Sequence, residues 1–316
     1  MSKMPVFDPV IVLDDVSKWY GEVLGINRVS LELPRGITSV VGPNGCGKST
    51  MLNIIAGLIR PSRGRVSIAG VSPRDSEALG RVLGYCPSTE AIHDTLTADE
   101  HLLGLLRIHG WPEDELHERV NLALQRVGLE HARHKKAGAY SKGMRQRLKL
   151  ALSIAHEPQV LLLDEPLNGL DPLGREEFIS LLQSWADEGG TILISSHVLH
   201  EVDLVANAVV MLHHGYVVAE GGIATVRGEI EDHPLQVTVT CTDPARLAER
   251  AFAEGVIRSA KVEGSQLRVE TLDDAGFSRL VATLAASGEL HVEGMELVDE
   301  SVEAVYQYLI GSEATT

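Results

Sequence analysis

Gly42-Pro43-Asn44-Gly45-Cys46-Gly47-Lys48-Ser49-Thr50 fits the pattern G-x-x-x-x-G-K-[ST], and it is flanked as such a loop must be. The apolar run Ile37-Thr38-Ser39-Val40-Val41 before it reads as a buried strand, and Met51-Leu52-Asn53-Ile54-Ile55-Ala56 after it reads as a helix. Glycines let backbone N–H groups turn inward on phosphate oxygens, and the helix N-terminus adds partial positive charge. All nine residues, Gly42 to Thr50, are therefore candidate nucleotide ligands. Lys48 can reach the β- and γ-phosphates, and the Ser49 hydroxyl can ligate Mg²⁺. Cys46 sits inside the loop, where the helix N-terminus and Lys48 are expected to lower its thiol pKa and make it reactive.

Working outward, the 316 residues suffice for two domains. The composition, 44 % hydrophobic and 23 % charged, is that of a soluble protein, and no apolar run has the length of a membrane span. The N-terminus, Met1 to Asp8, lacks the apolar core of a signal peptide, and Cys46, Cys86 and Cys241 form no paired framework. Cytoplasmic residence is the expectation. The formal net charge is −16. Residues 231–316 carry six Lys and Arg against sixteen Asp and Glu, a net of −10, which leaves −6 for residues 1–230. Neither part is suited to a nucleic-acid backbone.

The first 230 residues alternate strand-like and helical stretches, as an α/β domain does. Ile11-Val12-Leu13 and Val29 to Leu33 read as early strands. Thr97 to about Leu129 reads as helical, broken in two at Trp111-Pro112. Val160 to Leu163 and Thr191 to Ser195 read as central parallel strands. Glu229 to Pro234 reads as a linker. Beyond it the predicted order is strand 235–240, helix 244–254, strands 257–262 and 266–270, helix 275–286 and strand 290–297. That βαββαβ order predicts a small α+β domain of ferredoxin-like type over residues 231–316, closed by a helix from Ser301 to Ile310.

The strand Val160 to Leu163 ends in Asp164-Glu165. At the carboxyl end of such a strand both carboxylates can face a nucleotide crevice. Asp164 is placed to hold Mg²⁺, and Glu165 to orient and deprotonate an attacking water. Upstream, Tyr140-Ser141-Lys142-Gly143-Met144-Arg145-Gln146-Arg147 by itself reads as a helix N-cap with a basic first turn.

Taken in order, these motifs resemble the ATP-binding subunits of ABC transporters over residues 1 to about 230. The resemblance implies a P-loop NTPase fold with a helical subdomain at about 90–155. Tyr20 matches the aromatic that stacks on adenine. Tyr140 to Met144 takes the place of the LSGGQ motif, with Lys142 and Met144 as departures, so Ser141 and Gly143 would reach ATP held by a partner. Asn168 to Pro172, including Asp171, resembles the loop that crosses between paired subunits. Ser195-Ser196-His197 matches the switch histidine, a γ-phosphate contact that joins Glu165 and Lys48 as catalytic. Where the family commonly has a Gln that touches Mg²⁺, this chain has Ser88, shorter in reach; Glu90 or a bridging water could substitute.

The resemblance further implies ATP and Mg²⁺ as cofactors, hydrolysis between two copies of the chain, and a separate transmembrane permease that holds it at the cytoplasmic face of the membrane. The form of the Tyr140–Arg147 segment is similar to subunits of ABC-2-type exporters. The alternatives are an importer ATPase whose C-terminal domain senses substrate, and a soluble ABC ATPase acting on ribosomes or DNA. The second alternative would call for paired ATPase domains or long coiled coils, and neither is in the sequence. Residues 231–316 are read as an accessory or regulatory domain, and no nucleic-acid partner is expected.

Overall fold

Strands β1 (Ile11–Tyr20) and β2 (Val23–Leu33) form an antiparallel hairpin, longer than the two short strands predicted. Register shifts between Leu13 and Trp19 explain the shortfall, because a bulge breaks the period of two that makes a strand legible. Asp15 and Arg28 take positive φ there, and the buried Ser17 hydroxyl accepts from the Arg28 N–H at 2.8 Å. Strand β4 (Arg63–Ile68) pairs with the other edge of β1, giving the order β2-β1-β4. The computed structural model describes residues 10–89, 91–196, 202, 204–228, 235–271 and 273–297.

A second sheet has the order β5-β6-β7-β3-β8-β9, from β3 (Gly36–Val41), β5 (Leu83–Cys86), β6 (Val160–Asp164), β7 (Thr191–Ser196), β8 (Ala208–His213) and β9 (Tyr216–Gly222). The first five are parallel and β9 is antiparallel to β8. The apolar run of β6 follows from burial on both faces. Leu161 and Leu163 join a core with helices α3 (Ala98–Ile108), α4 (Leu116–Arg126), α5 (Lys142–Ile154) and α6 (Pro172–Asp187). Val160 and Leu162 join a second core with β1, β2 and α1 (Lys48–Ile55). The break at Trp111-Pro112 falls between α3 and α4, as the sequence predicts. A short α2 (Ser76–Val82) leads directly into β5.

The chain folds as two units, Met1–Ile223 and Ala224–Thr316, with α7 (Ile223–Gly228) at the division. The second unit runs β10 (Leu235–Cys241), α8 (Pro244–Ala253), β11 (Ser259–Glu263), β12 (Gln266–Thr271), α9 (Asp274–Ala286) and β13 (Val292–Leu297). All its strand pairs are antiparallel, in the order β11-β12-β10-β13. Its own core gathers Val237, Val239, Leu267 and Val269 from the sheet with Leu247, Phe277, Leu280 and Leu284 from the helices. Asp243 and Asp273 cap the two helices through the N–H groups of Arg246 and Gly276. The predicted helix 301–310 and the linker 229–234 lie outside the described residues.

Candidate nucleotide site

Strand register gathers the site. Asp164 at the end of β6 is level with Ser195 in β7, and Ser196 is level with Val41 in β3, one residue before Gly42. On the other side Cys86 is level with Leu163, so Ser88 leaves β5 beside Asp164. Four parallel strands thus deliver the phosphate loop, the acidic pair and Ser88 to one rim, where ligands of open α/β sheets bind.

The loop's glycines are required by contact as well as by φ. Gly42 has φ 151°, and a Cβ there would lie 2.2 Å from Leu212 O and 2.6 Å from Cys46 Sγ. Gly47 has φ 114°, and its Cβ would meet Gly25 O at 2.5 Å. Gly47 also begins α1 without a side-chain cap, which leaves first-turn N–H groups for an anion. The buried Lys48 ammonium donates to Gly42 O at 2.6 Å and Pro43 O at 3.1 Å, folded over the loop that it would serve. Pro43, Asn44, Gly45 and Ser49 are exposed, and Thr50 is half-buried.

Cys46 departs from expectation. It is buried, and desolvation pushes its thiol up, with Lys48 opposing only in part. Burial outweighs the helix terminus, so the reading of Cys46 as a reactive thiol does not hold.

Asp164 is buried, and both its oxygens accept hydroxyl bonds: Oδ1 from Ser195 Oγ at 2.6 Å and Oδ2 from Ser88 Oγ at 3.0 Å. The short side chain at position 88 therefore does reach the acidic strand. Glu165 has φ 49°, unusual for a residue with a Cβ. Its N–H holds that turn by donating to Ser195 O at 3.2 Å and Ser195 Oγ at 3.0 Å. Asn168 Nδ2 lies 3.4 Å from Glu165 Oε2.

Tyr20 is 47 % exposed and so lies outside the core. Gly25 makes room for its ring: a Cβ at Gly25 would meet Tyr20 Cε2 at 3.1 Å and Thr50 Cγ2 at 2.9 Å, placing the ring beside α1. The Ser141 hydroxyl caps α5 by accepting from Met144 N at 3.2 Å, and Asp171 caps α6 by accepting from Gly174 N at 3.1 Å. Gly143 has open space, with only Leu170 Cδ2 near at 3.8 Å. Ser141, Gly143 and Asp171 line one surface depression of about 310 Å³. His197 and Glu90 lie outside the described residues.

Two contributors are not singled out by the sequence. Ser195 is the penultimate residue of β7, a small hydroxyl after an apolar run, a signal available only once β7 is known to neighbour β6. The other is a polar stripe, Lys149, Ser153 and His156, on or just beyond α5. Lys149 Nζ donates to Pro87 O at 2.8 Å and lies 3.4 Å from Thr89 O. Ser153 Oγ lies 3.0 Å from Tyr85 O, and His156 Nε2 lies 3.0 Å from Leu83 O. The stripe follows helical spacing and meets every second carbonyl of edge strand β5 and its extension, so helix side chains stand where a further strand would pair. Gly84 permits this approach, since a Cβ there would lie 2.0 Å from Ser153 O.

Residues 26–168 match the ABC transporter family. The chain is 37 % identical over 224 residues to the bacitracin transport ATP-binding protein BcrA of Enterococcus faecalis, covering 70 % of this chain and 72 % of that protein. It is 29 % identical over 301 residues to the daunorubicin/doxorubicin resistance ATP-binding protein DrrA of Streptomyces peucetius, covering 94 % and 91 % respectively. A dimeric, post-hydrolysis structure of the ATP-binding cassette MJ0796 with ADP and Pi is similar at 26 % identity, with a TM-score of 0.60 over 67 % of this chain and 98 % of that one. With its phosphate loop and acidic strand end on one parallel rim, the chain belongs to the ABC transporter family as an ATP-binding, ATP-hydrolysing subunit.

Proposed function

We propose that two copies of this chain close on two ATP molecules and drive export through a separate transmembrane permease at the cytoplasmic face of the membrane. The pair Asp164 and Glu165, held at the phosphate-loop rim by Ser88, Ser195 and Asn168, carries the hydrolytic part of this reading. Its donor set suits Mg²⁺: one buried carboxylate and nearby hydroxyl oxygens are hard ligands of the kind this ion takes. Asp164 and Ser49 would hold that Mg²⁺, and the ion would neutralise charge on the β- and γ-phosphates. Lys48 would exchange its loop carbonyls for phosphate oxygens, as the N–H groups of Gly45 to Thr50 cradle the chain of phosphates. Glu165, aimed by its turn and by Asn168, would orient water and take its proton. Tyr20 would stack on adenine. Ser141, Gly143 and Asp171 would meet the partner copy, and His197 would contact the γ-phosphate.

Export is favoured by the names of the relatives, bacitracin transport and daunorubicin/doxorubicin resistance, and by the Tyr140–Arg147 segment. No helix among the described residues is long and apolar enough to cross a membrane, so the translocation path is assigned to a permease. The strand order of the second unit supports reading it as a ferredoxin-like accessory domain. The same topology is the observation behind the importer alternative, in which this domain binds substrate; saturable small-molecule binding to it would favour that reading.

Glu165→Gln tests the hydrolytic assignment. The amide keeps the shape but accepts no proton, so turnover should fall by about 10²- to 10⁴-fold. ATP affinity should persist, and a dimer should accumulate in size exclusion with ATP and Mg²⁺. Wild-type turnover would remove Glu165 from the mechanism. Identification of a membrane protein that co-purifies with the chain tests the export assignment.

A further inference from the structure

Lys149 is a charged residue in the apolar run Leu148-Lys149-Leu150-Ala151, and its side chain is buried. Removing an ammonium from water is costly unless its donors are used, and here they are directed at Pro87 O and Thr89 O. Those two carbonyls bracket Ser88, whose hydroxyl donates to Asp164 Oδ2. The segment 87–89 has left the parallel ladder, because the register of β5 with β6 ends at Cys86 and Leu163. Its position is therefore fixed by side chains instead of strand pairing. Lys149 reaches it from α5, the helix whose first turn is capped by Ser141.

We infer that Lys149 is a positioning residue for the metal end of the site: it holds Pro87 and Thr89 so that Ser88 orients the Asp164 carboxylate, and it thereby links α5 to that carboxylate. The inference rests on the proposed reading of Asp164 as a Mg²⁺ ligand. A purely structural lysine would support α5 and β5 without altering the response to the metal. A positioning lysine acts like the outer partners of other metal ligands, whose loss typically costs about 10- to 100-fold in metal affinity. The path runs through Ser88, so Ser88→Ala and Lys149→Met should have the same effect, and together no more than either alone.

The readout is the affinity of the full-length protein for a fluorescent ADP analogue, measured in EDTA and in Mg²⁺. The ratio of the two dissociation constants reports the metal without turnover, because metal and nucleotide binding are reciprocally linked. Lys149→Met should leave the EDTA value unchanged and shrink the Mg²⁺-dependent ratio by about 10-fold. Lys149→Arg, which keeps donors at that position, should restore most of it. If Lys149→Met fails to fold, the comparison passes to Ser88→Ala, whose side chain is exposed, and to Lys149→Gln. An unchanged ratio in Ser88→Ala or in folded Lys149→Met, or additive losses in the double variant, overturns the inference. Asp164→Asn separates the two levels. If it leaves the ratio intact, the metal assignment of Asp164 itself is wrong. If it abolishes the ratio while the Lys149 variants keep theirs, only the role of Lys149 falls.

Discussion

In the first unit five parallel strands are covered on both faces, whereas the four antiparallel strands of the second have helices packed on one face and exposed residues such as Arg268 and Gln266 on the other. Parallel strands all end at the same rim. Register sets Asp164 level with Ser195, and Gly42 and Ser88, far away in sequence, follow the ends of β3 and β5 at the same rim. In an antiparallel sheet neighbouring ends alternate, and no rim collects the carboxyl ends. The second unit accordingly has a core and well-capped helices, but every described residue assigned to nucleotide chemistry lies in the first.

The sharpest way to separate the units is to damage one core. Phe277 is fully buried in the second unit, and Phe277→Ala should destabilise that unit by about 3–5 kcal/mol. Urea unfolding should show one transition moved, with ATP turnover within about twofold of wild type; a parallel loss of turnover would break the comparison.

Acid should act on the first unit through His156. Burial, reinforced by the stacked His109 ring at 4.2 Å, lowers His156 from 6.5 to about 4. Between those values the unfolded chain binds a proton that the folded chain refuses. The stability this neutral ring contributes, about 3 kcal/mol, is present above pH 6.5 and is lost as pH falls toward 4. His156→Gln should flatten the slope of stability against pH in that window, which denaturant titrations at stepped pH would show. An unchanged slope would remove His156 as its source.

The smallest effect expected is at the rim itself. Tyr20→Ala should weaken ATP binding by about 1–3 kcal/mol, the scale of base–aromatic stacking. It should cost little stability, since the ring is nearly half exposed. An unaltered dissociation constant together with a lowered melting temperature would make it a structural tyrosine.

The phosphate loop and Asp164-Glu165 are legible in the sequence because each is a contiguous run whose chemistry depends on its own strand and turn. So is the alternation that yields β10, β12 and the two capped helices of the second unit. The full length of β1 and β2 is not, since bulges at Asp15 and Arg28 interrupt the period. Strand β11 starts at Ser259 although Ile257 is buried, so apolarity there marks core and not pairing. Ser195 and the Lys149–Ser153–His156 stripe escape notice for a different reason. Their roles depend on which strand lies next to which, and neighbourhood in a sheet is not written in local sequence. Cys46 is misread because loop position suggests activation while burial, a tertiary property, dominates its thiol.

The division of labour between the units is tested most directly by equilibrium ATP titration of a chain ending after Gly228. The first unit has its own two cores, and the second has a separate one. The truncated protein should fold and bind ATP with a dissociation constant within about twofold of the full chain. A folded truncation that no longer binds ATP would contradict the account.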